Sequence, residues 1–504
     1  MTILPLDPAS NATPGALRAF LEQCRAAAEK DGRTRLASIS IEVAPLDPLA
    51  VLESIFEPTE LHFYAERPSE DWAVAGAEAM IAFEGAGPDR FAAAQAFVDD
   101  VLARTIAVGE TGRPFGGPHF FGEGSFFDDV DPGEAFPAVK LFVPRWQVSR
   151  THERTIAVAN LMVEPEADLD ALTGKVWRAH AKFRTFEYGN VGVPDGLAGC
   201  RGVIAGDGET GNVRRRQIAC KQVPAGGAED DRGKTGIRDP DTYRTAVARA
   251  VEMIAEGRFE KIVLARCQEM SAAEAYHPLK VLNALRQRFP DCYSFSFANG
   301  RGQSFIGASP ERLLKVEQGT LQTEALAGSA PRGRTASEDA ALGGALLADE
   351  KELREHRHVV ASIDRRLATL GLQPVHAGRP GLKRLANVQH LHTPVSAVLP
   401  AGVRLLDVLA RLHPTPAVGG SPRAAACAHI RELEGFPRGL YGGPVGWIDH
   451  RGGGEFLVGI RSALIDGGRA RVYAGSGIVA GSDPDREFAE TELKFKALIE
   501  SLAD

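Results

Sequence analysis

Hydrophobic and polar residues follow two rhythms along this chain, and each rhythm predicts an element. Apolar residues every three or four positions predict a helix over 14–30, with Leu17, Phe20, Leu21 and Cys24 on one face. A second covers 90–106, with Phe91, Ala94, Val98, Val101 and Leu102 inward. The same spacing predicts a helix over 239–256, burying Val247, Ala250, Val251 and Ile254, and helical structure over 337–368. Alternation predicts paired strands at 38–43 and 62–65, a strand pair within 71–83, and strands at 117–127, 138–146 and 155–163. Past residue 240, β-branched runs punctuated by glycine predict strands at 259–266, 293–297, 304–308, 312–316, 320–324, 445–448, 455–461 and 470–475.

A last helix is predicted over 484–502. Ser482 or Asp483 can cap it, and Pro484 fits its first turn, where a missing N–H costs nothing. Phe488, Leu493, Leu498 and Leu502 supply its apolar side. Glu487, Glu490 and Lys494 follow at spacings of three and four, so they share a face. The ordinary reading is a solvated Glu490–Lys494 pair. The sharper reading turns Glu490 toward a hard divalent cation and Lys494 toward a substrate carboxylate.

Residues 1–15 are rich in Pro, Asn and Ser and read as a loose segment. Residues 220–238, polar and glycine-rich, read as a flexible loop. Strand patterns on both sides of that loop predict one domain, 16–504, rather than two.

With 504 residues, 44% apolar and 25% charged, the chain has a globular composition. A net charge of −8 and no basic block longer than Arg214–Arg216 exclude a nucleic-acid partner. Six scattered cysteines, with no CxxC pair, fit a reducing compartment and give no zinc or disulfide framework. The N-terminal residues lack a basic region followed by an apolar run, and no apolar run approaches the ~20 residues a bilayer needs. The expectation is a cytoplasmic protein without membrane contact. Nothing in the sequence decides between monomer and homodimer.

Several residues could carry chemistry. Lys261 interrupts an apolar strand: it is either an edge-strand lysine that blocks aggregation, or a desolvated amine able to act as a base. Glu311 sits at a turn between strands: it is either a turn acid paired with Arg312, or a carboxyl kept protonated to donate to a leaving group. Glu352 and Glu355 lie three apart on a charged helix, which is either a solvated face or a second source of hard-cation ligands. His356 and His358 do not share a helical face, which argues against zinc. Glycine turns at 324–329 and 474–477 could offer backbone N–H groups to a carboxylate. The stretch HPTPAVGG, 413–420, is stiffened by proline and opened by paired glycines.

These pieces together resemble the chorismate-utilising enzymes, most closely the isochorismate synthases. KIVLAR, ASPERLL, TEALAGS, EKELREH, HPTPAVGG, YGGPVGW, GIRSA, YAGSGIV and SDPDREFAETELKFKA occur in family order between about 240 and 504, whereas the N-terminal half matches only loosely. The resemblance implies an α+β fold like that of anthranilate synthase component I, with two large, mainly antiparallel sheets packed together and flanking helices. It implies magnesium-dependent isomerisation of chorismate to isochorismate. Lys261 matches the lysine that activates water for attack at C2, and Glu311 the acid that protonates the departing C4 hydroxyl. Glu355 and Glu490 match the Mg2+ ligands, with Glu352 and Glu487 beside them acting through bound waters. Gly328 and Gly475 match backbone contacts to substrate carboxylates. Tyr441, Arg461 and Lys494 match the groups holding the side-chain carboxylate, and Ala417 and Val418 match pocket residues near the ring. Glu352 stands where relatives commonly carry Asp. The lysine argues against an aminating relative. The runner-up is a salicylate synthase, which goes on to eliminate pyruvate, and a different class of reading is a catalytically silent member that binds an anion or a partner.

Overall fold

The computed structural model describes residues 1–4, 13–152, 154–185, 240–385 and 388–503. The 220–238 loop lies outside these, as do residues 5–12 of the segment read as loose. Thr2–Leu4 of that segment is a strand, paired in parallel with Ile106–Val108.

Two sheets diverge from one shared strand pair, Trp72–Gly85 and Val139–Thr151. The N-terminal part of Val139–Thr151 also pairs with His119–Gly124, and its C-terminal part with Arg154–Val163. The first sheet runs from the shared pair through Leu61–Arg67, Tyr293–Asn299, Gln303–Ser309, Ser462–Asp466 and Arg469–Val479 to Lys261–Ser271. On its other side it continues through Arg154–Val163, Arg35–Val43 and Thr105–Gly109. The second sheet runs through His119–Gly124, Pro444–Asp449, Gly454–Val458, Arg312–Glu317 and Thr320–Pro331 to Val388–Val398. Among the described residues, only the two ladders of Thr105–Gly109 are parallel. With helices flanking these sheets, the fold is α+β.

The sheets bury aromatic side chains between them. Phe63 stacks on Phe121 with centroids 4.5 Å apart, and Trp72 and Trp447 meet edge to face at 5.3 Å. No helix among the described residues is long and apolar enough to cross a membrane.

Three predicted elements are corrected. The strand pair within 71–83 is one strand, Trp72–Gly85, with a register shift between Ala79 and Ile81 and Glu78 at φ 58°. The 337–368 helix is two, Ala336–Ala348 and Glu350–Ala368. Asp349 breaks them and caps the second, its carboxylate accepting from the N–H groups of Lys351 and Glu352. In the last helix, Pro484–Ala503, Leu493 is 70% exposed. The inward stripe is Thr491, Phe495, Leu498 and Leu502, and Leu493 lies two residues from Phe495, about 200° round the helix.

Candidate active site

The chain crosses between sheets twice, side by side. Ser309 ends a strand of the first sheet and Arg312 opens one of the second, so Glu311 sits on the crossing. Val458 ends a strand of the second sheet and Ser462 opens one of the first, so Arg461 sits on the return. The crossings are stitched together: Val458 N donates to Glu311 O at 3.1 Å, and Ala308 N donates to Arg461 O at 3.0 Å. Arg461 takes φ 51°, a left-handed conformation uncommon for a side-chain-bearing residue. Its guanidinium makes no hydrogen bond or ion pair among the described residues, and burial lowers its pKa from the usual value.

Glu311 is buried. Burial, then the neighbouring Glu324 carboxylate, push its carboxyl up to about 7, against the pull of Lys383 and Lys261. Among the described residues its carboxyl makes no hydrogen bond. Half of such a group is protonated near neutrality, which suits a proton donor.

Lys261 opens its strand, and its side chain is 12% exposed. Of the two readings left open by the sequence, a largely buried amine is what the structure holds, and it is ion-paired: Nζ donates to Glu355 Oε1 at 2.5 Å. Space for the lysine comes from Gly477 on the adjacent strand, where a Cβ would lie 2.9 Å from Lys261 Cε. Glu355 projects from Glu350–Ala368. The next residue, His356, fixes that helix to the second sheet by hydrogen bonds to Thr393 Oγ1 at 2.8 Å and to Ala327 O at 3.2 Å. Glu352, one turn earlier, packs over Gly328, where a Cβ would stand 3.0 Å from Glu352 Oε2. Burial, then Glu355, raise the Glu352 pKa.

Lys494 donates to Gly475 O at 2.8 Å and to Glu490 Oε1 at 2.6 Å. Burial would raise the Glu490 pKa, but Lys494, then Arg461 and His390, hold it below the usual carboxylate range. Burial raises that of Glu487, against hydrogen bonds from Ser476 and Ser482. Gly475 leaves room for Tyr441, whose Oη would be 2.9 Å from a Cβ there. Tyr441 stacks on Tyr473 at 5.2 Å, and burial pushes its phenol up to about 12. Arg461 and Lys494 share the wall of a small cavity with Cys292, Pro310 and Leu498.

The structure thus brings Lys261 against Glu355 and Gly477, Glu352 against Gly328, and Lys494 against Glu490 and Gly475. Among the described residues, Ala417 and Val418 make no hydrogen bond to these charges; the Val418 carbonyl is held by Arg438 instead. Their loop joins through its ends: Gly420 and Ser421 pair with Ile262 and Lys261, and Val263 N donates to Gly419 O at 3.2 Å. Beneath it lies the fully buried pair Glu434–Arg438. Arg438 donates to Val418 O and Val263 O, both at 2.8 Å, and Glu434 accepts from Ala265 N at 2.7 Å. One ion pair therefore fixes both the loop and the lysine strand.

Sequence reasoning missed His390. Its Nδ1 bonds to Ser329 Oγ at 2.8 Å, and its Nε2 is buried with no hydrogen-bond partner among the described residues. Burial, then Arg461 and Lys494, lower it to about 4, so it is neutral near pH 7. The signal was the alternation of Val388–Val398, whose buried positions include Gln389 and Thr393 and therefore do not look apolar.

A hard cation fits the donors here. Glu355 and Glu490 offer carboxylate oxygens, with side chains 23% and 48% exposed, each countered by a lysine that a cation could replace. Among the described residues no three His, Cys, Asp or Glu side chains converge as a metal site. Magnesium tolerates this, because it keeps waters and takes one or two protein carboxylates plus a substrate anion.

A family model described as chorismate binding enzyme matches residues 19–192 and 214–503. The chain is 34% identical to the salicylate biosynthesis isochorismate synthase of Pseudomonas aeruginosa over 97% of this chain and 94% of that protein. It is 40% identical to isochorismate synthase MenF of Bacillus subtilis over 52% of this chain and 56% of that one. The structure of MenF, the menaquinone-specific isochorismate synthase from Escherichia coli, matches with a TM-score of 0.70 at 26% identity, over 97% of this chain and all of that one.

Proposed function

The chain belongs to the chorismate-binding enzyme family, and from that premise we propose that it is an isochorismate synthase, an isomerase converting chorismate to isochorismate. The observation that carries this reading is a buried carboxyl held near neutrality, Glu311, on the crossing between the two sheets and within electrostatic reach of a lysine amine, Lys261, that is itself ion-paired to Glu355. An amine that takes a proton and a carboxyl that gives one are what exchanging one hydroxyl for another requires.

In the proposed reaction Lys261 takes a proton from water as the water oxygen bonds to C2. The two ring double bonds shift and the C4–O bond breaks. Glu311 gives its proton to the departing hydroxyl, which leaves as water. One water enters and one leaves, so substrate and product are isomers. The proton on Lys261 returns to Glu311 through solvent between turnovers. We assign Glu355 and Glu490 as the carboxylates that would hold a Mg2+ ion, with Glu352 and Glu487 acting through bound waters, which would leave the Lys261 amine free of Glu355. Bound there, such an ion would supply Lewis acidity that favours attack at C2 and loss at C4. Arg461, Tyr441 and Lys494 hold the side-chain carboxylate, backbone at Gly328 and Gly475 meets carboxylate oxygens, and Ala417 and Val418 face the ring. Chorismate is a dianion, and the guanidinium of Arg461, with no protein partner among the described residues, supports this assignment. We place the protein in the cytoplasm.

Incubation with chorismate and MgCl2, followed by chromatography, tests the reading. Isochorismate alone is the expected product. Salicylate with pyruvate would replace this reading with a salicylate synthase, and unchanged but bound chorismate would make the chain a silent member of the family.

A further inference from the structure

Four backbone polar groups around Glu311 are tied. Lys383 Nζ donates to Pro310 O at 2.9 Å and to Glu324 Oε1 at 2.7 Å. Arg312 N donates to that same Glu324 oxygen at 3.2 Å. His392 Nε2 donates to the other oxygen, Oε2, at 2.7 Å. On the far side of the turn, Val458 N holds Glu311 O and Ser309 Oγ accepts from Glu311 N at 3.3 Å. The Glu324 and Lys383 side chains are only 10% and 14% exposed, so this ion pair is screened weakly.

Glu324 is not itself a proton donor. Three donors occupy its oxygens, and although burial alone would raise its pKa, His392 and Lys383 bring it to about 2. It is therefore a fixed anion beside Glu311. The charged and titratable groups that Glu311 senses come from four parts of the chain: Glu324 on Thr320–Pro331, Lys383 on Gly381–Arg384, Lys261 on its strand, and the Tyr441 phenol.

We propose that Glu324 and Lys383 are positioning residues for Glu311, the ammonium fixing the turn and the carboxylate setting a permanent negative charge beside the acid. The inference rests on the reading of Glu311 as the donor to the departing hydroxyl. Its two halves act in opposite senses. Removing the Glu324 charge lets Glu311 ionise more readily, whereas removing the Lys383 charge makes ionisation harder. A purely structural role would lower the rate of either variant without moving its pH profile.

The test measures kcat and KM for chorismate from pH 5.5 to 9 in wild type, Glu324→Gln, Lys383→Met and Lys383→Arg. Glu324→Gln is expected to move the alkaline limb of kcat down by about one pH unit, with KM changed less than about threefold. Lys383→Met is expected to move the limb up while lowering the plateau about tenfold or more, and Lys383→Arg to restore both. Should Glu324→Gln fail to fold, the opposite shift in Lys383→Met and its rescue by arginine decide the matter. Limbs unmoved in every folded variant would overturn the proposal, as would an upward shift in Glu324→Gln. In parallel, NMR of 13C-glutamate-labelled protein, with Glu311→Gln identifying the signal, follows the Glu311 carboxyl directly. If wild type makes no isochorismate, the functional reading fails. The NMR titration then still judges the tuning: a Glu311 midpoint lower in Glu324→Gln supports it, and an unchanged one refutes it.

Discussion

Gly477 is where a single methyl group reaches the proposed base without adding or removing a charge. Its φ lies outside the left-handed region, so alanine is conformationally allowed there. A Cβ at 477 would lie 2.9 Å from Lys261 Cε and 3.3 Å from Nζ, with no other atom of the described residues within 4 Å. Carbon atoms settle at about 3.5–4.0 Å, so the lysine stem must retreat by about 0.6 Å or more. The clash falls on the far end of a flexible side chain, and replacing glycine restrains the unfolded chain, so stability should hardly change. Displacements near 1 Å can cost about 100-fold in rate, so Gly477→Ala should lower kcat about 10- to 100-fold, or about 1.4–2.7 kcal/mol of barrier. KM for chorismate should change less than about threefold and the melting temperature by less than about 2 °C. Steady-state isochorismate formation and a thermal melt measure both, with Lys261→Ala as the reference for complete loss of the base. Wild-type turnover in a normally folded Gly477→Ala protein would refute the reasoning, because Lys261 would then not need its present position.

Three further outcomes follow from the site. If Glu311 acts as the proposed proton donor, with its carboxyl near 7, kcat should fall as pH rises through that value; in Glu311→Gln, turnover should be lost at every pH, measured by the same chromatographic assay across pH 6–9. Arg438→Met leaves Glu434 buried and unpaired, and breaking such pairs typically costs about 3–5 kcal/mol, so denaturant unfolding should show a marked loss of stability. EDTA should abolish turnover and added MgCl2 should restore it, while the melting curve of the metal-free protein still shows a cooperative transition; full activity in EDTA would remove the ion from the mechanism.

How much of this was legible beforehand differs by element. Lys261, Glu311, Glu355 and Glu490 each stand in a recognisable local motif, and the Glu490–Lys494 pair follows from its own spacing, yet other partners lie far along the chain. Lys261 meets Glu355 across 94 residues, and Glu324 meets Lys383 across 59, distances no periodicity encodes. The last helix shows the limit of reading by residue type. Leu493 looks like core but faces out, while Thr491 is buried because its hydroxyl takes Arg266 Nε at 2.7 Å. Val388–Val398 escaped because its inward positions include polar Gln389 and Thr393, which make hydrogen bonds through the Gln389 amide N–H and the Thr393 hydroxyl, so the strand lacks an apolar alternation. The branching of two sheets from Val139–Thr151 depends on one long strand using different partners along its length, which local alternation cannot reveal.

The central claim is that a hydroxyl from solvent replaces one from the ring. Turnover of chorismate in H2(18)O, read by mass spectrometry of the product, addresses it most directly. The account predicts isochorismate carrying one 18O, at C2. Unlabelled isochorismate would mean that the hydroxyl migrates within the ring, and neither Lys261 nor Glu311 would then have the role given to it.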